Sequence, residues 1–395
     1  MINTQMEELG KAPSKIREIF EYGKRRKAEI GEDRVFDFSI GNPNVPAPAE
    51  VNAVYKSLID SHDDIWLHGY TSAAGDLDTR GAIVKDLNRR FGTSFRAENL
   101  YITCGAAASL KIAITALVTP GDEFVTFTPF FPEYRVFVET AGARLVACPT
   151  NPDTFQIDFE RLESVISENT KAVLVNSPNN PSGVVFRESA VKQLAELLSA
   201  KEQEYGHAIY LISDEPYREL VYDPEIEVPY MTKYYKDTVV CYSYSKSLSL
   251  PGERIGYVLV PDEADHAEDL RAAVAGAGRA LGYVCAPSLT QHVIEKCVGL
   301  VSDLSVYKTN RDLLYDALTE YGYTCVHPDG AFYLFVKALE EDASAFCERA
   351  KEFELLLVPA DSFGTPGYVR IAYCVTTDQI RRSLPAFREL AMSYR

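Results

Sequence analysis

Apolar residues recur along the chain in two alternating rhythms. Short runs rich in Val, Ile, Phe and Tyr stop at Gly, Pro, Asn or Asp, and between them lie stretches with apolar positions three and four apart. The short runs predict strands over residues 100–103, 124–127, 144–148, 172–175, 209–212, 239–242 and 257–260, with helices over 106–118 and 190–198. This alternation predicts an α/β domain on a mostly parallel sheet, where ligands gather at the carboxyl ends of the strands. Upstream, Ile16, Ile19 and Phe20 share one helical face within residues 14–26. A strand-like run over 35–40 then stops at Gly41, and Pro43, Pro46 and Pro48 make an extended linker. Helical patterns follow over 53–60 and from the break at 68–75 through Phe91. Beyond Pro287 the pattern predicts a helix over 303–321, a strand over 332–335, a helix over 343–353, short strands near Leu356 and Val369, and a last helix from about 378. That order fits a smaller α+β domain.

At 395 residues with 46% hydrophobic positions, the chain is long enough for two cores. Its 40 Lys and Arg against 57 Asp and Glu give a net charge of −17, which repels nucleic acid and anionic membranes. An anionic ligand therefore needs local cations. The eight cysteines show no C-x-x-C spacing and several sit in apolar runs, which favours reduced core thiols over disulfides or a zinc site. The first residues lack a basic and apolar leader pattern, and no apolar run is long enough to span a membrane, so a cytoplasmic protein is expected.

The chemistry centres on residues 238–256, where an apolar run ends in hydroxyls around Lys246. A lysine desolvated at a strand end has a lowered pKa and a larger fraction of free amine, as a Schiff-base lysine requires. Arg254 follows a Pro251-Gly252 turn and can fold back as a phosphate clamp. Lysine and clamp together suggest pyridoxal phosphate, although the same stretch also reads as an exposed Ser/Lys loop. Other strand ends add to the first reading. Gly105 turns the run 100–103 into a helix opening with Ala106 and Ala107, which presents free backbone N–H groups to an anion or simply makes a tight junction. Phe131, held between prolines, can stack on a heteroaromatic ring or fill core. Asn180 lies between Pro178 and Pro181, so its amide is directed. Asp214 ends a buried strand, where a carboxylate is costly unless it meets a cation such as a protonated pyridine nitrogen. Gly41 permits backbone approach to a ligand, or serves as a hinge. Two other patterns carry little: no G-x-x-x-x-G-K-[ST] accompanies Asp214-Glu215, and the glycine-rich stretch 276–282 follows a helical run instead of a strand.

Tyr70 to Gly75, Gly105-Ala106-Ala107, Asn179-Asn180-Pro181-Ser182-Gly183, Asp214-Glu215-Pro216-Tyr217, Ser243-Tyr244-Ser245-Lys246, Arg254-Ile255-Gly256 and Tyr368-Val369-Arg370-Ile371 stand in an order that resembles the class I/II aminotransferases of the fold-type I pyridoxal-phosphate enzymes. The likeness covers nearly the whole chain and is nearest in look to bacterial aspartate aminotransferases. It implies that Lys246 carries the cofactor and moves the substrate proton, that Asp214 pairs with the ring nitrogen, and that Tyr217 and Asn180 bond the ring O3′. It also implies that Gly105, Ala106, Ala107, Ser243 and Arg254 hold the phosphate, with Tyr70 reaching over from a second subunit, and that Phe131 stacks on the ring. Arg370, with Gly41 nearby, would bind the substrate carboxylate. Alanines follow Gly105 where relatives often carry side-chain donors, which shifts the load to backbone and Arg254.

The resemblance further implies an N-terminal segment of the small domain over residues 1–50, a large cofactor domain over 51–286, a small domain over 287–395, and a homodimer. The expected activity is amino transfer between an amino acid, with aspartate favoured, and 2-oxoglutarate. Arg279 is a candidate for a distal carboxylate and equally a solvated helix-end residue. Amino transfer from aromatic amino acids or alanine, a β-C–S lyase or decarboxylase, and a cofactor-binding regulator without turnover are the rival readings.

Overall fold

The computed structural model describes residues 2–12 and 14–395. Seven strands form the central sheet in the order Leu100–Thr103, Gly256–Leu259, Thr238–Ser243, Tyr210–Asp214, Thr170–Asn176, Glu123–Thr128, Arg144–Pro149. All neighbours are parallel except Gly256–Leu259, which runs antiparallel to both of its partners. The inner strands are buried along their whole length, which explains why they read as unbroken apolar runs and not as alternating ones. Each Val, Leu, Ile or Phe side chain buried there contributes roughly 1.5–3 kcal/mol.

Helices cover both faces of the sheet. Ala106–Leu117, rich in alanine, lies close against the strands on one side and against Ala267–Leu281 on the other. Glu188–Tyr205 packs through Val191, Leu194 and Leu198 on the opposite face. Two short helices, Glu133–Glu139 and Phe159–Val165, fall where the sequence pattern gave no helix. Ser288–Cys297, expected with the small domain, buries Val293, Ile294 and Cys297 in the same cluster as Val51, Leu58, Ile83 and Leu87. Its apolar face thus belongs to the core of the large body.

The second body is a four-stranded antiparallel sheet, in the order Val358–Pro359, Tyr368–Ala372, Tyr333–Lys337, Thr324–Cys325. Ser305–Tyr321, Ala343–Lys351 and Thr377–Met392 cover it. The N-terminal segment joins this body: Phe36–Asp37 pairs in parallel with Leu355–Leu356. Only these two residues form a strand, because the chain then bends to bond elsewhere; Phe38 donates to Leu356 O at 3.0 Å and accepts from Ala372 N at 3.0 Å. That bend brings Ser39, Ile40 and Gly41 over the carboxyl ends of the large sheet. Among the described residues no helix is long and apolar enough to cross a membrane.

Candidate active site

The strand Thr238–Ser243 ends in a single helical turn, Tyr244–Ser247, nucleated by Ser243, whose Oγ accepts from Ser245 N at 3.1 Å. The turn points Lys246 into a cavity of about 290 Å³ between the two bodies. Lys246 Nζ donates to Gly41 O at 2.7 Å, so the amine meets the N-terminal segment directly. Burial lowers its pKa to about 8, and the positive charges of Arg254 and Arg370 push the same way against the Cys374 sulfur. Roughly a tenth of the amine is therefore uncharged at pH 7, far more than for an ordinary lysine.

Asp214 closes the neighbouring strand and lies in the same cavity. Its Oδ2 accepts from Tyr134 OH and, at 3.4 Å, from Asn176 Nδ2. Its Oδ1 is buried and has no partner. Burial raises the carboxyl pKa to about 7; the Tyr134 bond opposes that rise and the charge of Glu215 adds to it. The adjacent acid goes elsewhere. Glu215 accepts from Ser213 Oγ and from Arg218 Nε, in a fully buried pair outside the cavity.

Arg370, from the strand Tyr368–Ala372, enters from the second body. Its Nη1 donates to Asn180 Oδ1 at 3.2 Å and its Nη2 to Ser39 O at 2.6 Å, while Nε is buried without a partner. The guanidinium lies over the Tyr333 ring at 4.7 Å and the Phe363 ring at 5.2 Å. Tyr333 OH also bonds Tyr217 OH at 2.9 Å and fixes the position of Gly41, where an added Cβ would stand 2.0 Å from that hydroxyl.

At the far end, the helix Ala106–Leu117 starts at Gly105, whose φ of +90° and lack of a side-chain cap leave its first N–H groups free. Arg254 spans this helix start and the lysine turn, donating from Nη2 to Cys104 O at 3.2 Å and from Nη1 to Pro251 O at 2.8 Å and Ser245 Oγ at 3.5 Å. A Cβ on Gly105 would lie 2.7 Å from Arg254 Nη2. Phe131 forms part of the wall.

Lys246, Asp214, Tyr217, Asn180, Gly41, Ala106, Ala107, Phe131, Ser243, Arg254 and Arg370 thus line one cavity, with Gly105 beside it. Tyr70 and Arg279 do not. Tyr70 is 97% exposed, and Arg279 is exposed on the last turn of Ala267–Leu281. The two regions adjoin on the surface, for Cys285 Sγ donates to Thr71 O at 3.4 Å and Tyr283 N to Gly278 O at 2.8 Å. The sequence reading passed over Tyr134, Asn176, Ser245 and Tyr333 as site residues. Ser245 lies inside a motif quoted above and Asn176 ends the strand Thr170–Asn176, so their place at strand ends was the available signal.

The family model described as aminotransferase class I and II matches residues 33–387. The chain belongs to this family. It is similar to a crystal structure of an aminotransferase from Eubacterium rectale, with 58% identity and a TM-score of 0.98 over 100% of this chain and 99% of that one. It is 30% identical to the aspartate aminotransferase of Thermotoga maritima over 96% of this chain and 97% of that protein. It is also 30% identical to a probable N-acetyl-LL-diaminopimelate aminotransferase of Bacillus subtilis, covering 94% and 93%.

The fold is accordingly that of a fold-type I pyridoxal-phosphate transferase, and the cofactor is pyridoxal phosphate. The aminotransferase cavity fits that group on its own chemistry. The orphaned Asp214 Oδ1 suits a protonated ring nitrogen, and the open N–H groups after Gly105 with Arg254 suit a phosphate. The amine of Lys246 suits an aldehyde.

Proposed function

We propose that this aminotransferase moves the amino group between aspartate and 2-oxoglutarate in a two-stage cycle, each stage using the same cavity. The observation that carries an amino-acid substrate is the buried, unpartnered Nε of Arg370 in a cavity shared with the Lys246 amine. A fixed cation beside a basic amine selects a ligand with a carboxylate next to its reacting nitrogen. Several relatives named aspartate aminotransferase, from Thermotoga maritima, Geobacillus stearothermophilus and Pyrococcus horikoshii, support the choice of aspartate.

Bound pyridoxal phosphate supplies an aldehyde that exchanges amines and a ring that takes up the electron pair left when the substrate Cα proton departs. Lys246 would hold the cofactor in the resting enzyme and, once released as a free amine whose pKa burial lowers, would carry the proton at Nζ. Asp214, held by Tyr134 and Asn176, keeps its carboxylate oriented toward the ring nitrogen. Tyr217 and Asn180 offer hydrogen bonds to the ring oxygen, and Phe131 covers the ring face. Gly105, Ala106, Ala107, Ser243 and Arg254 hold the phosphate. Arg370 binds the α-carboxylate, kept in place by Asn180 and Ser39.

In this reading the enzyme is a homodimer. Tyr70 and Arg279 act in the neighbouring subunit's cavity, the first on the phosphate and the second on the distal carboxylate. The exposed apolar side chains Ile65, Trp66, Tyr70 and Leu77 on this side support a covered face. A second reading, a longer and less acidic amino donor, is favoured by Ile16 and Ile40 in the cavity wall, where a short dicarboxylate gains nothing.

Absorbance of the loaded enzyme tests the proposal. Loss of the cofactor's visible band with aspartate, and its return with 2-oxoglutarate, are expected. Much faster turnover of aromatic or branched-chain amino acids would overturn the assignment, and oxo-acid release that needs no amino acceptor would point to a lyase.

A further inference from the structure

A second cluster of ligating side chains lies away from the cofactor cavity, where the helix Ser288–Cys297 meets the start of Leu77–Phe91. Asp76, His292 and Glu295 each turn one ligand atom inward, all within 4.8 Å of one another. Two observations set this group apart from an ordinary acidic surface. His292 is only 4% exposed, and the ring nitrogen it offers toward the two carboxylates has no hydrogen-bond partner among the described residues. Its ring face is covered by Trp66, stacked at 3.9 Å and 16°, which leaves only the in-plane nitrogen lone pairs available, the direction in which imidazole binds a metal.

The carboxylates are also poised. Asp76 spends Oδ2 on the helix cap, accepting from Thr79 N at 2.8 Å and Thr79 Oγ1 at 3.0 Å, and its other oxygen is free of that duty. Glu295 meets Lys296 through Oε1. Two carboxylates this close repel, and a dication between them removes the repulsion.

We propose that Asp76, His292 and Glu295 form a site for a first-row transition dication of the zinc class. One imidazole and two carboxylates form a borderline-soft set that suits such ions, with bonds of about 2.0–2.2 Å that would draw the ligand atoms together from their present spacing. The ion ties the loop carrying Tyr70 and the cap Asp76 to the helix Ser288–Cys297, a link now made by Gln291 Oε1 accepting from Asp76 N at 2.7 Å. It is a structural clamp outside the cofactor cavity and does not depend on the substrate assigned above.

Trp66 is the single tryptophan of the chain and stacks directly on the proposed ligand, so its emission reports binding. The cofactor-loaded enzyme is titrated with NiCl₂ and, separately, with ZnCl₂, following Trp66 emission and Tm. Saturable quenching at one Ni²⁺ per chain and a rise in Tm with Zn²⁺ are expected. D76N, which keeps the helix cap, and E295Q are each expected to weaken the midpoint roughly tenfold or more. No saturable change in emission, or an unchanged midpoint in both variants, would overturn the site.

Discussion

Tyr134 donates its hydroxyl to Oδ2 of Asp214, and the other oxygen of that carboxylate is buried with no partner. The carboxylate is held from one side and left open on the other, toward the cavity. This arrangement makes the ring-nitrogen role of Asp214 testable. D214N keeps the shape and removes the charge, and kcat is expected to fall about 10²- to 10³-fold, the range seen when a preorganised electrostatic partner is lost. Y134F is expected to move the Asp214 pKa upward, because its hydrogen bond opposes the rise caused by burial. A pH profile of cofactor binding reads that shift.

Asp214 and Lys246 each add a pH dependence to the stability of the cofactor-free protein. Asp214 titrates near 7 when folded against an ordinary value of 3.8, so the folded chain binds the extra proton between those values, and stability falls as pH rises through that window. Lys246 has the opposite consequence. With a folded pKa of about 8 against 10.5, the unfolded chain binds the extra proton, and stability rises from pH 8 toward 10.5. Urea unfolding across pH 4–10 is expected to show both slopes, with D214N removing the first and K246M the second.

Much of this site was legible locally. Asp214 ends a buried strand, and Lys246, Asn180 and Gly105 follow one within a few positions, so an apolar run stopping at polar or glycine residues is visible within ten positions. Tyr134 was not legible, because its contact with Asp214 spans 80 positions and its own segment reads as packing aromatics between prolines. Tyr333 lies in the other body and reaches Tyr217 across 116 positions. The strand expected over 35–40 shortened to two residues because its backbone groups are shared among Leu356, Ala372 and Arg370, partners that no local pattern announces. Ser288–Cys297 follows a proline and a change of pattern, yet its apolar face fits the helices of the larger body.

Arg370 should not tolerate its nearest cationic substitute. R370K keeps the charge and loses the fork that engages Asn180 and Ser39, so kcat/KM for the amino acid is expected to fall by about 10²-fold or more, with cofactor content unchanged. Steady-state kinetics beside the cofactor absorbance check both halves of that statement.

Gly41 and Tyr333 are coupled by space. G41A places a Cβ 2.0 Å from the Tyr333 hydroxyl and 2.8 Å from the ring carbon bearing it, which displaces the segment that accepts from Lys246. G41A is expected to lower kcat/KM, and G41A/Y333F to recover part of the loss, since removing the hydroxyl relieves only the nearest contact. Full additivity of the two effects would show that the residues act separately.

Gly105 carries a heavier constraint. G105A meets both a φ of +90° and the Arg254 guanidinium at 2.7 Å, so about 1–3 kcal/mol of strain is expected. Cofactor affinity, measured by titration of the cofactor-free protein, should weaken at least roughly tenfold.

The most direct test of the whole account is chemical. Reduction of the loaded enzyme with borohydride, followed by proteolysis and mass spectrometry, fixes the cofactor to the lysine that holds it. The account predicts a pyridoxyl label on Lys246 and loss of labelling in K246R; a label on another lysine, or none, would contradict it.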